Sequence, residues 1–380
     1  MTPESREFQI FVKPVGPVCN LNCRYCYYLK KKDQYPSTDR FLMSDVVLEK
    51  YVIQHIQAST ENIISFSWHG GEPLLAGTDF FRKALKIQKK HKPAGSTIIN
   101  GVQTNGTLLN DEWCDFLASE GFIVGISIDG PGDLHNSYRR TKDDGTTLQK
   151  VIAGYKLLKA YGVIPEILCV VNAGNVKHPL VIYNFFKQLG AKYITFLPLV
   201  EKEQTSSTGV SRISVTAIEF GYFLSEIFDE WVDKDIGEIK IQIFEEASRT
   251  AFNQEHTLCI FKVNCGGVPV VEHTGDFYSC DHYVDKEHLL GNLKDHSLSY
   301  FLDCDVQKAF GQAKSLTLPK YCLNCEVRSM CNGECPKNRF IKSPDGEQGL
   351  NYLCQGYKYF FNHCRPFVEA INSAWENQGN

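Results

Sequence analysis

A chain of 380 residues has room for two or three domains of ordinary size, or for one barrel that uses most of the length. Its 40 lysines and arginines stand against 44 acids, a net charge of −4 with no dense basic run, which argues against nucleic acid or an anionic membrane as the main partner. No uncharged apolar run is long enough to span a bilayer, and Glu4, Arg6 and Glu7 stand where a signal segment would be apolar, so a cytoplasmic protein is expected.

Short runs rich in β-branched and aromatic residues alternate with longer amphipathic stretches through roughly the first 235 residues. Strands are expected at 8 to 14, 62 to 68, 97 to 104, 122 to 128, 165 to 171 and 192 to 198. Helices are expected at 44 to 58, with Ser44 as N-cap, and at 78 to 92, 147 to 161, 177 to 189 and about 215 to 233. Six consecutive βα units call for parallel strands joined by right-handed crossovers, as a doubly wound sheet or an incomplete barrel; periodicity does not choose between them. Ligands of either architecture gather at the carboxyl ends of the strands. Four loops fall there: Cys19 to Cys26, "HGGEP" at 69 to 73, "QTNG" at 103 to 106 and "SIDGP" at 127 to 131. Beyond residue 240 the pattern changes to short strands, glycine turns and clustered cysteines, and "GGVPVVEHTGDFYSCDHYV" reads as a hairpin turning at "HTGD". The expected domains are 1–238 and 239–380.

Fifteen cysteines in a chain expected to stay in a reducing compartment point to metal or cluster ligation rather than disulfides. Eleven fall into spaced groups: Cys19, Cys23 and Cys26; Cys259, Cys265 and Cys280; Cys322, Cys325, Cys331 and Cys335; and Cys354. Cys114, Cys169, Cys304 and Cys364 stand apart and read as buried or incidental thiols. Three thiolates on one loop can hold an iron-sulfur cube with one iron left open, whereas a structural zinc site asks for four protein ligands.

Cys19-x3-Cys23-x2-Cys26, with Tyr25 before the last cysteine and on the loop after the first of six βα units, resembles the signature of radical S-adenosylmethionine enzymes. The resemblance implies a partial (β/α)6 TIM-like barrel whose open iron is chelated by S-adenosylmethionine, the cosubstrate that yields a 5′-deoxyadenosyl radical. It also implies that Gly70, Gly71, Glu72 and Pro73 lie against the methionine amino group, that Ser127 and Arg139 hold its carboxylate, and that Val200 lies at the adenosine. The later cysteines are similar to the SPASM extension of peptide- and protein-modifying members, which implies two auxiliary [4Fe-4S] clusters, three clusters in all. By that likeness Cys259, Cys265, Cys280 and Cys335 hold one and Cys322, Cys325, Cys331 and Cys354 the other.

Asp281, directly after Cys280, occupies the place of the general base in the anaerobic sulfatase-maturating enzymes, which "SFSWHGGEPLLAG", "VQTNGTLL" and "LNYLCQGYKYFF" also resemble. The likeness implies oxidation of a Cys or Ser of a sulfatase, in a C/S-x-P/A-x-R context, to Cα-formylglycine, on an unfolded or nascent segment. A ferredoxin or flavodoxin would serve as electron donor. A carboxylate near its ordinary pKa is a poor base, so burial beside an anionic cluster is expected to raise Asp281. His69, before GGEP, is left with two readings, a substrate contact or a cap on the strand end. The alternative function is a SPASM enzyme that forms thioether or carbon-carbon crosslinks in a ribosomal peptide; the eighteen residues ahead of Cys19 leave no room for a leader-binding domain of the kind many of those carry.

Overall fold

The computed structural model describes residues 8–36, 40–206 and 209–378. Two compact units interleave along the chain. The first comprises 1–127, 138–165 and 266–311; the second comprises 128–137, 166–265 and 312–380. This division differs from a single boundary near residue 238, since the segment 266–311 packs with the N-terminal strands.

In the first unit β1 (Phe11–Val12), β2 (Ile63–Trp68), β3 (Thr97–Thr104) and β4 (Ile123–Ser127) lie side by side and parallel. In the second, β5 (Glu166–Val171), β6 (Tyr193–Pro198) and β7 (Lys240–Ile241) do the same. Five of the six expected strands appear within about a residue of their anticipated limits, and the expected (β/α)6 order is present. The strand pairings of each unit, among the described residues, leave it open rather than closed into a barrel. β1 is shorter than its apolar run because Pro14 has no N–H to donate and Gly16 N turns back on the Lys13 carbonyl at 3.0 Å.

The helices follow from their ends. Asp45–Ala58 begins where the Ser44 hydroxyl accepts from Val47 N, and Pro179–Leu189 carries proline at its first turn and ends at Gly190 in the left-handed region. Between β3 and β4 the helix Asp111–Ser119 starts at Asn110, whose side chain accepts from Trp113 N. The hairpin also forms: β8 (Val270–Val271) pairs antiparallel with β9 (Asp276–Tyr278), turning at Gly275 with φ +90°. Two pairings went unread in the sequence. β8 runs parallel to β1, and β10 (Leu289–Asn292) adds to β9. None of the fifteen cysteines is in a disulfide, and among the described residues no helix is long and apolar enough to cross a membrane.

In the second unit the helix Cys354–Gln378 packs on Ala217–Lys234. Two glycines set the approach. A Cβ on Gly356 would overlap the Ala217 carbonyl oxygen, and one on Gly221 would stand 2.7 Å from the Gly356 carbonyl oxygen. Gly356→Ala is therefore expected to destabilise by about 1–3 kcal/mol through overpacking, read as a lower urea midpoint.

Candidate functional site

The cysteine loop is braced by backbone hydrogen bonds and by side chains. Cys26 N donates to the Cys23 carbonyl at 3.0 Å, Asn22 N to the Arg140 carbonyl at 2.8 Å and Arg24 N to the Tyr138 carbonyl at 2.9 Å. The QTNG loop supplies the side-chain contacts. Asn105 Nδ2 donates to Asn20 Oδ1 at 2.8 Å and reaches Cys19 Sγ at 3.6 Å, while Asn20 Nδ2 donates to Thr107 Oγ1 at 2.8 Å. Burial pushes the Cys19 thiol up to about 12, against the hydrogen bond from Leu21 N, so a thiolate there needs a cation close by.

The glycines of GGEP serve this same loop. Gly71 N donates to the Gly16 carbonyl and Glu72 N to the Val18 carbonyl, both at 2.9 Å, and a Cβ on Gly71 would collide with that Val18 carbonyl. Gly70 sits at φ +136°, a conformation side chains disfavour. Glu72 is fully buried, and its carboxylate accepts from Leu74 N, Thr104 Oγ1 and Asn105 N at 3.1, 2.7 and 2.8 Å. Burial pushes it up to about 7 despite those three donors. Its carboxylate ties GGEP to QTNG.

Ser127 and Arg139 are both buried in the first unit; Ser127 Oγ accepts from Gln103 Nε2 at 3.2 Å, and the Arg139 guanidinium lies 5.5 Å from the centre of the Tyr25 ring. Val200 is buried in the second unit, its carbonyl accepting from Lys337 Nζ at 2.8 Å.

Asp281 follows β9 and lies in a polar nest. Lys13 Nζ is 2.5 Å from its Oδ1, and the Tyr27 hydroxyl donates to its Oδ2. Lys13 is 2% exposed, and its ammonium also stands 4.5 Å from the centre of the Tyr28 ring. Tyr28 packs with Val270, Tyr278 and Val284, and its hydroxyl donates to buried Glu272, so the tyrosines after Cys26 anchor the hairpin that carries Asp281. Burial acts to raise the Asp281 carboxyl, but among the protein's own groups the buried Lys13 cation above all, with His282, outweighs it and leaves the group below the ordinary range. His69 stacks on Phe11 with ring centres 4.2 Å apart, its backbone N–H donates to the Val12 carbonyl at 2.7 Å, and desolvation and Lys13 push its ring down to about 3, the neutral form.

In the second unit Cys322, Cys325, Cys331 and Cys354 line one cavity together with Arg328 and Lys358. Cys259, Cys265 and Cys335 belong to the same unit, and Cys280 to the first. Among the described residues no three His, Cys, Asp or Glu side chains converge on a single point as one metal ion requires. Four sulfurs spread around a cavity suit the corners of a cube instead. Sequence reasoning missed Lys13, Tyr27 and Asn105; the available signal for Lys13 was a lone cation closing the apolar run "FQIFVKP".

The Radical SAM superfamily model matches residues 14–177, and the model of an iron-sulfur cluster-binding domain, SPASM, matches 265–326. The chain is 41% identical over 389 residues to the serine-type anaerobic sulfatase-maturating enzyme of Bacteroides thetaiotaomicron, covering 99% of this chain and 94% of that one. It is 32% identical over 363 residues to the cysteine-type enzyme of Clostridium perfringens (strain 13 / Type A), covering 94% and 96%. Among solved structures it is similar to native anSMEcpe with bound AdoMet, with a TM-score of 0.87, 31% identity and coverage of 96% of this chain and 99% of that one. Streptococcus suis SuiB with S-adenosylmethionine, at a TM-score of 0.63 and 16% identity over 92% and 78%, shares the fold alone.

Removing the Lys13 ammonium strands a buried carboxylate. Lys13→Met should cost about 3–5 kcal/mol in urea unfolding, with much of the loss recovered when Asp281→Asn is added; equal loss in the double variant counts against the pair.

Proposed function

The chain belongs to the anaerobic sulfatase-maturating enzymes, radical S-adenosylmethionine proteins with a SPASM domain, and from that membership we propose that it oxidises a serine of a sulfatase segment to Cα-formylglycine. The serine preference rests on greater similarity to serine-type relatives, 41% and 37%, than to the cysteine type at 32%. The substrate is an unfolded or nascent sulfatase polypeptide, the compartment the cytoplasm, and the electron donor a ferredoxin or flavodoxin.

Cys19, Cys23 and Cys26 would hold the cluster with the open iron. Cys322, Cys325, Cys331 and Cys354 would hold one auxiliary cluster, and by the likeness to SPASM proteins Cys259, Cys265, Cys280 and Cys335 would hold the other. Bound together, the first cluster and S-adenosylmethionine supply a 5′-deoxyadenosyl radical that takes hydrogen from the substrate Cβ. Tyr25, Gly70, Gly71, Ser127, Arg139 and Val200 would line the S-adenosylmethionine site. A buried guanidinium and a buried serine hydroxyl both suit a carboxylate, and GGEP offers backbone carbonyls to an ammonium. Glu72, its carboxylate already held by three donors, would act by shaping that loop.

The observation that carries the reading is Asp281, placed after Cys280 and held ionised by buried Lys13. Loss of hydrogen from Cβ leaves a hydroxyl on a carbon radical, which is far more acidic than the parent alcohol. The base for that proton needs position and negative charge more than strength. Lys13 secures the charge, and Tyr27 orients the carboxylate.

Anaerobic incubation of the reconstituted protein with S-adenosylmethionine, reductant and matched Ser and Cys peptides tests this by mass spectrometry. The Ser peptide should lose the mass of two hydrogens and become aldehyde-reactive, faster than the Cys peptide exchanges its thiol for the same aldehyde; a mass loss without aldehyde reactivity would point to a crosslink. Asp281→Asn should still cleave S-adenosylmethionine while aldehyde formation drops by about 10²-fold or more, and normal turnover by this variant refutes the base assignment.

A further inference from the structure

Two cations in the second unit lack any acidic partner at ion-pair distance among the described residues. Lys314, 1% exposed in the last turn of the helix Asp305–Leu316, points its Nζ at the carbonyls of Cys259 and Ile260, at 2.9 and 2.7 Å. Arg339, partly buried, gives its whole fork to backbone: Nε to the Gly333 carbonyl at 2.8 Å, Nη1 to the Lys314 carbonyl at 2.5 Å, and Nη2 to the carbonyls of Asn332 and Glu334 at 3.0 and 3.2 Å. The two side chains therefore form a linked brace between the Cys259 loop and the loop from Cys331 to Cys335.

Carbonyl dipoles hold these cations in place without neutralising them, and an uncompensated charge out of water is expensive. Glu334, the buried acid in the same neighbourhood, accepts from Asn338 Nδ2 at 3.2 Å and from Asn351, and stands outside ion-pair distance of both cations. Besides Glu334, the negative groups that act on the cations are thiols of the two auxiliary ligand sets: Cys322, Cys265 and Cys331 on Arg339, and Cys265 and Cys259 on Lys314. A cube held by four thiolates is a net anion, the counter-charge this brace lacks.

We infer that Lys314 and Arg339 are the counter-charges of the two auxiliary clusters, a shared positive brace that stabilises added negative charge on both and so raises their reduction potentials. The inference rests on the ligand assignment above. Net charge around a cluster is one of the main determinants of its potential, and cations outside the ligands act on it through space. A cluster at a higher potential is the better acceptor for the electron that formylglycine formation releases from the substrate. This role makes them positioning and tuning residues, not groups that touch substrate.

The test uses the full-length, fully reconstituted protein in an anaerobic potentiometric titration followed by electron paramagnetic resonance, with S-adenosylmethionine present to set the first cluster's signal apart. Lys314→Gln and Arg339→Gln should each retain iron and shift the auxiliary reduction equilibrium about tenfold towards the oxidised form, about 59 mV for one electron, while Lys314→Arg and Arg339→Lys stay near wild type. Neutral variants with full iron and unchanged potentials overturn the inference. Should the neutral variants lose their auxiliary clusters, retention of iron by the charge-keeping pair supports a counter-charge, and equal loss in that pair shows a mere structural brace and overturns it. Wild-type protein without auxiliary cluster signals overturns the ligand assignment itself, a result distinct from unchanged potentials; none of these readouts depends on formylglycine formation.

Discussion

Keeping negative charge out of water is the constraint around which both units are arranged. A buried carboxylate or thiolate is stable only beside a cation or several donors, because desolvation penalises the charged form by several kcal/mol. The first unit answers with Lys13 on the strand edge, in contact with Asp281 and against the face of Tyr28. The second answers with Lys314 and Arg339, anchored to the carbonyls of the loops that carry the cysteines. Lys314 and Arg339 are held by backbone carbonyls, so their positions are set without an acidic partner. That is preorganisation in the electrostatic sense.

The parallel strands and their crossovers were legible because local signals agree: β-branched runs of strand length, amphipathic spacing between them, and caps such as Ser44 and Asn110 at the helix starts. The hairpin at Gly275 was legible for the same reason. What lay beyond local reading was the partner of that hairpin. β8 pairs with β1 across more than two hundred residues, Phe11 opposite Val270, and nothing in either short apolar run names the other. The segment 266–311 therefore looked like part of a separate C-terminal domain and instead packs with the first unit.

Site residues divide along the same line. Cysteine spacing is a one-dimensional signal, and Cys322, Cys325, Cys331 and Cys354 line one cavity. The resemblance sets GGEP against a methionine amino group; in the structure a Cβ on Gly71 would meet the Val18 carbonyl, and the Glu72 carboxylate accepts from Leu74, Thr104 and Asn105. Side-chain chemistry alone does not reveal which donors a fold has already committed.

Asp281 shows why direction matters more than burial when a base is judged. Burial by itself would have raised its carboxyl towards the range of a stronger base, at the risk of leaving it protonated and useless as an acceptor at neutral pH. Lys13 reverses that outcome and leaves a weaker base that is always ionised. Such a group is poorly suited to deprotonating an ordinary alcohol. In the proposed base role it suits a hydroxyl that has become acidic only because the adjacent carbon has lost a hydrogen atom, and that role places proton removal after hydrogen abstraction.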